Sequence, residues 1–219
     1  MAAGDRIMIK LPQVTLCALG SVRYKNAQQR ALDYSSREIE FGAVKNIIHP
    51  HCNDIDEWNK AIIYDLASYI TTDFLMLIHP DGYIVNPSVW RDEWLNFDYI
   101  GVPWPMPSDD YSYRAADGEL IRVGNSVSLR SAKLVNLAPS LGLEWKPFHG
   151  YSNEDGFICV NYRHEYLKAG MKFAPIEVAK YFSREEDMPE NADVEKPFAF
   201  HMHNNFPKRG RNAQYEVFE

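Results

Sequence analysis

Phe74-Leu75-Met76-Leu77-Ile78-His79-Pro80-Asp81-Gly82 (FLMLIHPDG) is the stretch from which the fold of this chain is read. Its run of apolar residues, bounded by turn chemistry, is short for a helix and suits a strand buried on both faces. His-Pro-Asp-Gly then ends the strand, because these residues favour turns and the glycine permits a close backbone approach. Upstream, residues 58–70 carry Trp58, Ile62, Leu66 and Tyr69 or Ile70 as the apolar stripe of a helix, capped by Asp54 or Asp56. Residues 43–48 read as a strand. A helix over about 26–40 sets Ala27, Ala31, Ser35 and Ile39 on one side. Residues 14–19 (VTLCAL), closed by Gly20, form another doubly buried strand. This β-α-β-α-β order predicts a parallel sheet with right-handed crossovers, and ligands of such sheets collect at the carboxyl ends of the strands. Gly20 and Asp81 stand at two of those ends and are expected to face one crevice.

Downstream the pattern changes. Residues 99–112 are proline-rich, with Trp104 between Pro103 and Pro105, and read as an ordered loop. Residues 123–130 (VGNSVSLR) alternate enough for a strand, with Gly124-Asn125 as a turn or a tight backbone approach. A helix over 154–169, a strand near 172–174 and a strand with one polar face over 198–203 (FAFHMH) complete the reading. The expected architecture is one α/β domain over residues 1–219, with a mixed, mostly parallel central sheet flanked by helices.

Composition narrows the function. Hydrophobic residues make up 46% and charged residues 24%, ordinary for a globular domain. A net charge of −7 argues against nucleic acid as the main partner. Lys208, Arg209 and Arg211 form a local basic cluster that reads as a solvated tail. The three cysteines, Cys17, Cys52 and Cys159, lack any CxxC pairing, so no disulfide framework is expected; Cys17 and Cys159 read as small buried hydrophobes. Residues 1–10 contain no long apolar core of a signal peptide, and no stretch approaches a membrane span. The chain is expected to be soluble and cytoplasmic.

Three groups of residues could carry chemistry. Asp81, a carboxylate immediately after a buried strand, is costly unless it reaches solvent or serves a purpose. It is either a turn former or a ligand for a hard cation such as Mg²⁺ or Mn²⁺, which favours oxygen donors and leaves positions open for phosphates. His201 and His203, two apart on a strand, point to one face and could reach the same cation, or serve as ordinary hydrogen-bonding residues. Glu154 and Asp155 stand at the start of a helix, where carboxylates are favoured by the helix end, and could equally supply a general base. Trp104 is the aromatic best placed to meet a ligand, whereas Trp90 and Trp94 read as core.

Taken in order, these residues resemble a family of GT-A-type glycosyltransferases, catalogued largely as domains of unknown function. The likeness runs from Trp58-Asn59-Lys60 through the strand and His79-Pro80-Asp81-Gly82-Tyr83-Ile84-Val85-Asn86-Pro87 to Phe97-Asp98-Tyr99-Ile100-Gly101-Val102-Pro103-Trp104. It continues through Val123-Gly124-Asn125, Ser128-Leu129-Arg130-Ser131, Glu154-Asp155, Phe173-Ala174-Pro175 and residues 198–201. The resemblance implies a GT-A fold, Rossmann-like, with a nucleotide-sugar-binding half over 11–85. Residues 86–207 would bind the acceptor and complete the metal site. It also implies a nucleotide-sugar donor such as a UDP-sugar, a glycan or other hydroxyl acceptor, and Mn²⁺ or Mg²⁺ on the diphosphate.

Residue by residue, Asp81 matches the metal-binding last acid of the DxD motif, here degenerate because His79 takes the first position. His201 matches the histidine that completes the metal site. Ala18, Leu19 and Gly20 match the strand end that cradles the nucleoside, Lys60 lies where donor contacts often occur, and Gly124 and Asn125 fall in the matched donor side. Asp155, with Glu154 beside it, matches the acid that acts as base in an inverting mechanism. Ser126-Val127 depart from the Gly and aromatic that follow Gly-Asn in the family, which puts acceptor contacts in question. Arg23, Lys60 or Lys208 could stabilise the departing diphosphate. Two rivals stand beside this reading. One is a sugar-phosphate nucleotidyltransferase, opposed by the lack of a Gly-rich phosphate loop at Leu19-Gly20-Ser21-Val22-Arg23. The other is a non-catalytic nucleotide-sugar or glycan-binding module.

Overall fold

The computed structural model describes residues 8–146, 153–202 and 210–219. Its sheet is built around β1 (Ile9–Gly20), whose residues from Val14 to Gly20 are all buried because neighbours cover both edges and both faces. The other strands are β2 (Ile39–Ile48), β3 (Phe74–Leu77), β4 (Tyr99–Pro103) and β5 (Val123–Ser131), in the order β2-β1-β3-β5-β4. β1 pairs in parallel with β2 and β3, whereas β5 runs antiparallel to both β3 and β4. The expected mixed, mostly parallel α/β sheet is therefore the one found. Register pairs Cys17 with Leu77, so the carboxyl ends of β1 and β3, with Gly20 and Asp81 beyond them, open on the same rim.

Strand alternation divides the core in two. Leu16, Ala18, Met76 and Ile78 face the layer that contains α1 (Lys25–Ser35), Trp94 and α6 (Ile176–Phe182). Cys17, Leu19, Leu75 and Leu77 face the layer of α2 (Ile55–Tyr64) and α3 (Ala132–Leu141). Trp90 and Trp94 are core as expected, packed edge to face with ring centroids 5.1 Å apart. Cys17, Cys52 and Cys159 are buried free thiols. Burial pushes the first up to about 12 and the second to about 11, and Cys159 higher still. Among the described residues no helix is long and apolar enough to cross a membrane.

Several elements differ from the sequence reading. Residues 99–103 form β4 rather than loop, because an edge strand tolerates Pro103 and all five residues are buried. Helix 154–169 is interrupted: α4 (Glu154–Gly156) passes through a wide π-helical turn at Phe157–Asn161 before α5 (Arg163–Lys168). α3, not anticipated, starts where the Ser131 hydroxyl accepts from Leu134 N–H at 3.1 Å and stops at Gly142 in the left-handed region. Near 172–174 only a single bridge forms, between Tyr99 and Phe173. The strand expected over 198–203 shrinks to β7 (Ala199–Phe200), paired in parallel with β6 (Ser183–Arg184). His201 thus stands just beyond a strand end.

Candidate active site

Asp81 lies half-buried in a closed turn. His79 N–H donates to Gly82 O at 2.7 Å, and Gly82 N–H donates back to His79 O at 3.2 Å. The Asp81 carbonyl accepts from Met202 N–H at 2.7 Å, which stitches the turn to the segment after β7. Glycine is required at 82: a Cβ there would lie 2.6 Å from Val127 Cγ2 and 2.7 Å from His201 Cδ2. The turn chemistry read from HPDG and the placement of Asp81 beside His201 are one feature.

His79 is buried, its ring packed edge to face against Trp58 at 5.3 Å and His201 at 5.8 Å. Burial, then the charges of His201 and Arg130, hold it well below the ordinary histidine value, so the imidazole is neutral. Its Nε2 is buried without a hydrogen-bond partner. Trp58 Nε1 donates to Leu19 O at 2.7 Å and so joins the end of β1 to this cluster.

His201 Nδ1 is 3.3 Å from Glu185 Oε1 and 3.0 Å from Asn125 Nδ2. These contacts demand opposite roles of Nδ1. The carboxylate decides in favour of an Nδ1–H, so a cation binding this ring would take Nε2 in place of its proton. Burial opposes a proton on this ring, but the hydrogen bond and charge of Glu185, followed by the charges of Asp81 and Asp155, push it up to about 9.

Asp155 opens α4 and faces the same cluster. Its Oδ2 accepts from Asn125 N–H at 3.1 Å and its Oδ1 from Gly156 N–H at 2.8 Å. Burial is the main cause of a carboxyl held above the ordinary aspartate value, opposed by the Gly156 N–H and by Arg130. Glu154, its neighbour, is directed elsewhere. It is 1% exposed and accepts from Arg130 Nη2 at 2.9 Å, and Arg130 is itself fully buried. The acidic pair therefore divides: Glu154 is committed to the interior and Asp155 alone meets the crevice residues.

The remaining sequence candidates are more scattered. Ala18 and Leu19 turn their side chains into the two cores, and the Leu19 carbonyl is already taken by Trp58. Gly20 accepts from His49 N–H at 2.9 Å and packs on Gln28. Lys60 is tied to Asp56 at 2.6 Å, and Arg23 is exposed with its guanidinium over Tyr24. Trp104 is buried rather than offered to a ligand: it stacks on Tyr113 at 4.8 Å and covers Gly124. Arg211 is no solvated tail, since it bonds Asp187 Oδ1 at 2.9 Å and Val194 O at 2.9 Å. His203, Lys208 and Arg209 lie outside the described residues. Because a Cβ on Gly124 would fall 2.0 Å from the Trp104 ring, Gly124→Ala is expected to cost about 1–3 kcal/mol in urea unfolding.

Sequence reasoning missed Glu185. It sits in the run Arg184-Glu185-Glu186-Asp187, which reads as a solvated charge patch, and only the β6–β7 pairing brings it to His201. Asn212 Nδ2 fixes this pairing by donating to Arg184 O at 2.9 Å and Glu185 O at 3.0 Å.

Residues 53–201 match the model of a family described as "Protein of unknown function (DUF5672)". The chain belongs to this family. The matched span contains Trp58, His79, Asp81, Asn125, Asp155, Glu185 and His201, so the DUF5672 region holds the whole cluster apart from the end of β1. A comparison with curated proteins finds no match. Among solved structures, the "Crystal structure of a glycosyltransferase involved in the glycosylation of the major capsid of PBCV-1" is similar over 89% of this chain and 94% of that one. The TM-score is 0.53 at 14% sequence identity, a likeness of fold. Among the described residues, no group of three or more His, Cys, Asp and Glu side chains forms a ready metal cage.

Proposed function

We propose that this DUF5672 protein is a metal-dependent glycosyltransferase that moves a sugar from a nucleotide-sugar donor, a UDP-sugar, to a hydroxyl of a glycan or other acceptor with inversion. The observation that carries the reading is the meeting of Asp81, His201 and Asp155 at the carboxyl ends of the strands, where α/β sheets bind ligands. The likeness in fold to a glycosyltransferase supports it.

Mn²⁺ or Mg²⁺ fits the donor set. Asp81 would offer a carboxylate oxygen and His201 its Nε2, with Glu185 on Nδ1 as the outer carboxylate that orients a metal-bound imidazole. Two protein ligands suffice where substrate phosphates fill other positions, and the His79 ring, whose buried Nε2 lacks a hydrogen-bond partner, packs against His201. When bound, the cation supplies counter-charge to the diphosphate leaving group. Asp155 takes the proton of the acceptor hydroxyl. The acceptor oxygen bonds to the anomeric carbon as the bond from that carbon to the diphosphate oxygen breaks. A carboxyl held above its ordinary value is a stronger base than a solvated aspartate. Arg23 and Lys60 would add positive charge for the departing diphosphate, Lys60 after exchanging Asp56 for phosphate.

The test is a panel of UDP-sugars incubated with the protein, with Mn²⁺ or with chelator, while UDP release is followed. Metal-dependent release is expected. Tight UDP binding without turnover would instead make the protein a binding module, and pyrophosphate release from a nucleoside triphosphate plus sugar phosphate would make it a nucleotidyltransferase.

A further inference from the structure

β5 does not run evenly against β4. Val102 pairs with Gly124 and Ile100 with Leu129, so the single residue Gly101 faces residues 125–128 of β5. The excess backbone bulges toward the crevice, and bulges re-aim side chains. At its start Asn125 adopts φ +75°, in the left-handed region that residues with a Cβ rarely occupy. Two glycines make room for it. A Cβ on Gly101 would fall 1.9 Å from Gly124 O, and one on Gly124 would strike Trp104.

Every polar group of Asn125 is in use. Its N–H donates to Asp155 Oδ2 at 3.1 Å, and its carbonyl accepts from the buried Tyr99 hydroxyl. Its Oδ1 accepts from Val127 N–H at 3.1 Å, which fixes the amide, so that Nδ2 donates to Glu185 Oε2 at 3.0 Å and touches His201 Nδ1. An ordinary turn needs only the backbone conformation, which glycine would supply at less cost. Here a strained asparagine is kept where its two ends reach two different functional groups, and strain held by over-determined surroundings points to function.

We propose that Asn125 is a positioning residue that ties the base carboxylate of Asp155 to the Glu185–His201 pair, so that base and cation ligand keep one fixed relation. The proposal rests on the glycosyltransferase reading for its purpose, and on geometry alone for the link itself. Asn125→Gly keeps the left-handed backbone and removes only the amide; Glu185→Ala removes the acceptor of that amide from the other side without touching the bulge.

The experiment uses the full chain labelled with ¹⁵N-histidine, with the His201 Nδ1–H resonance identified by its loss in His201→Gln. Asn125→Gly is expected to stay folded, relief of the backbone strain offsetting part of the cost of the Val127 N–H left without its acceptor, and to broaden or shift that resonance. It is also expected to weaken Mn²⁺ binding in the presence of UDP on the order of 10- to 100-fold, as loss of outer-shell support does. At saturating Mn²⁺ its kcat should fall more than its donor KM rises. An unaltered His201 resonance together with wild-type Mn²⁺ affinity in Asn125→Gly overturns the proposal and leaves Asn125 a turn former. A rise in donor KM alone also overturns it, in favour of direct substrate contact. If the wild type turns over no UDP-sugar, the glycosyltransferase reading fails, while the resonance still decides the link.

Discussion

Asp155→Asn is expected to lower kcat by about 10²- to 10⁴-fold, the usual contribution of a positioned general base, while UDP and Mn²⁺ binding persist. The substitution is close to isosteric, but an amide nitrogen cannot accept from Asn125 N–H or Gly156 N–H, the two donors that Asp155 now satisfies. One of them loses its acceptor, at a stability cost of about 1–3 kcal/mol. Thermal unfolding therefore accompanies the kinetics. The pH profile supplies the sign. The base must be ionised, and burial holds its carboxyl above the ordinary aspartate value. In the wild type, activity falls as pH drops through that raised value, and this acid limb should vanish from whatever rate Asp155→Asn retains. A variant within fivefold of wild-type kcat would remove Asp155 from the chemistry.

The second large effect is on stability. Arg130→Met should cost about 3–5 kcal/mol, because it strands a buried carboxylate. Arg130 and Glu154 are 0% and 1% exposed and bonded at 2.9 Å. Arg130 Nε also donates to Ser128 Oγ at 2.8 Å, and Glu154 N–H is held by Asn59 Oδ1 at 3.0 Å. In the wild type, burial raises the Glu154 carboxyl and Arg130 opposes that rise. Without Arg130 the rise is larger. The folded variant then keeps a proton that the unfolded chain has released, so its stability should decline as pH climbs above the ordinary glutamate value. Urea unfolding across that range measures it, and the double variant Arg130→Met/Glu154→Leu should recover most of the loss. A cost under about 1 kcal/mol for Arg130→Met would contradict the stranded-charge account. Glu154 would then be free to share the site with Asp155.

How far residues alone could be read depended on the range of the physics. β1 and β3 were legible because a strand covered on both faces needs an unbroken apolar run, and their order with α1 and α2 dictated the parallel frame. β4 was hidden by prolines that only its edge position makes acceptable, and α3 by Pro139 within it. β6, two residues long, has no periodicity to detect, and β7 keeps only two residues of the strand read over 198–203. Trp104 looked free because its neighbours are prolines, yet its partners Gly124 and Tyr113 lie across the fold.

By itself, then, the sequence determined the α/β frame, the strand ends at Gly20 and Asp81, and the candidate set Asp81, Asp155 and His201. The frame and the strand ends follow from hydrophobic runs and turn chemistry, which act between near neighbours in the chain, whereas Asp155 and His201 were singled out by the family resemblance. Tertiary structure alone decided that Glu154 faces inward to Arg130, that Glu185 stands on His201 Nδ1, and that Asn125 joins them in a left-handed bulge. Asn125 is 60 residues from Glu185 and 76 from His201, so these contacts depend on strand register and packing that no local pattern encodes.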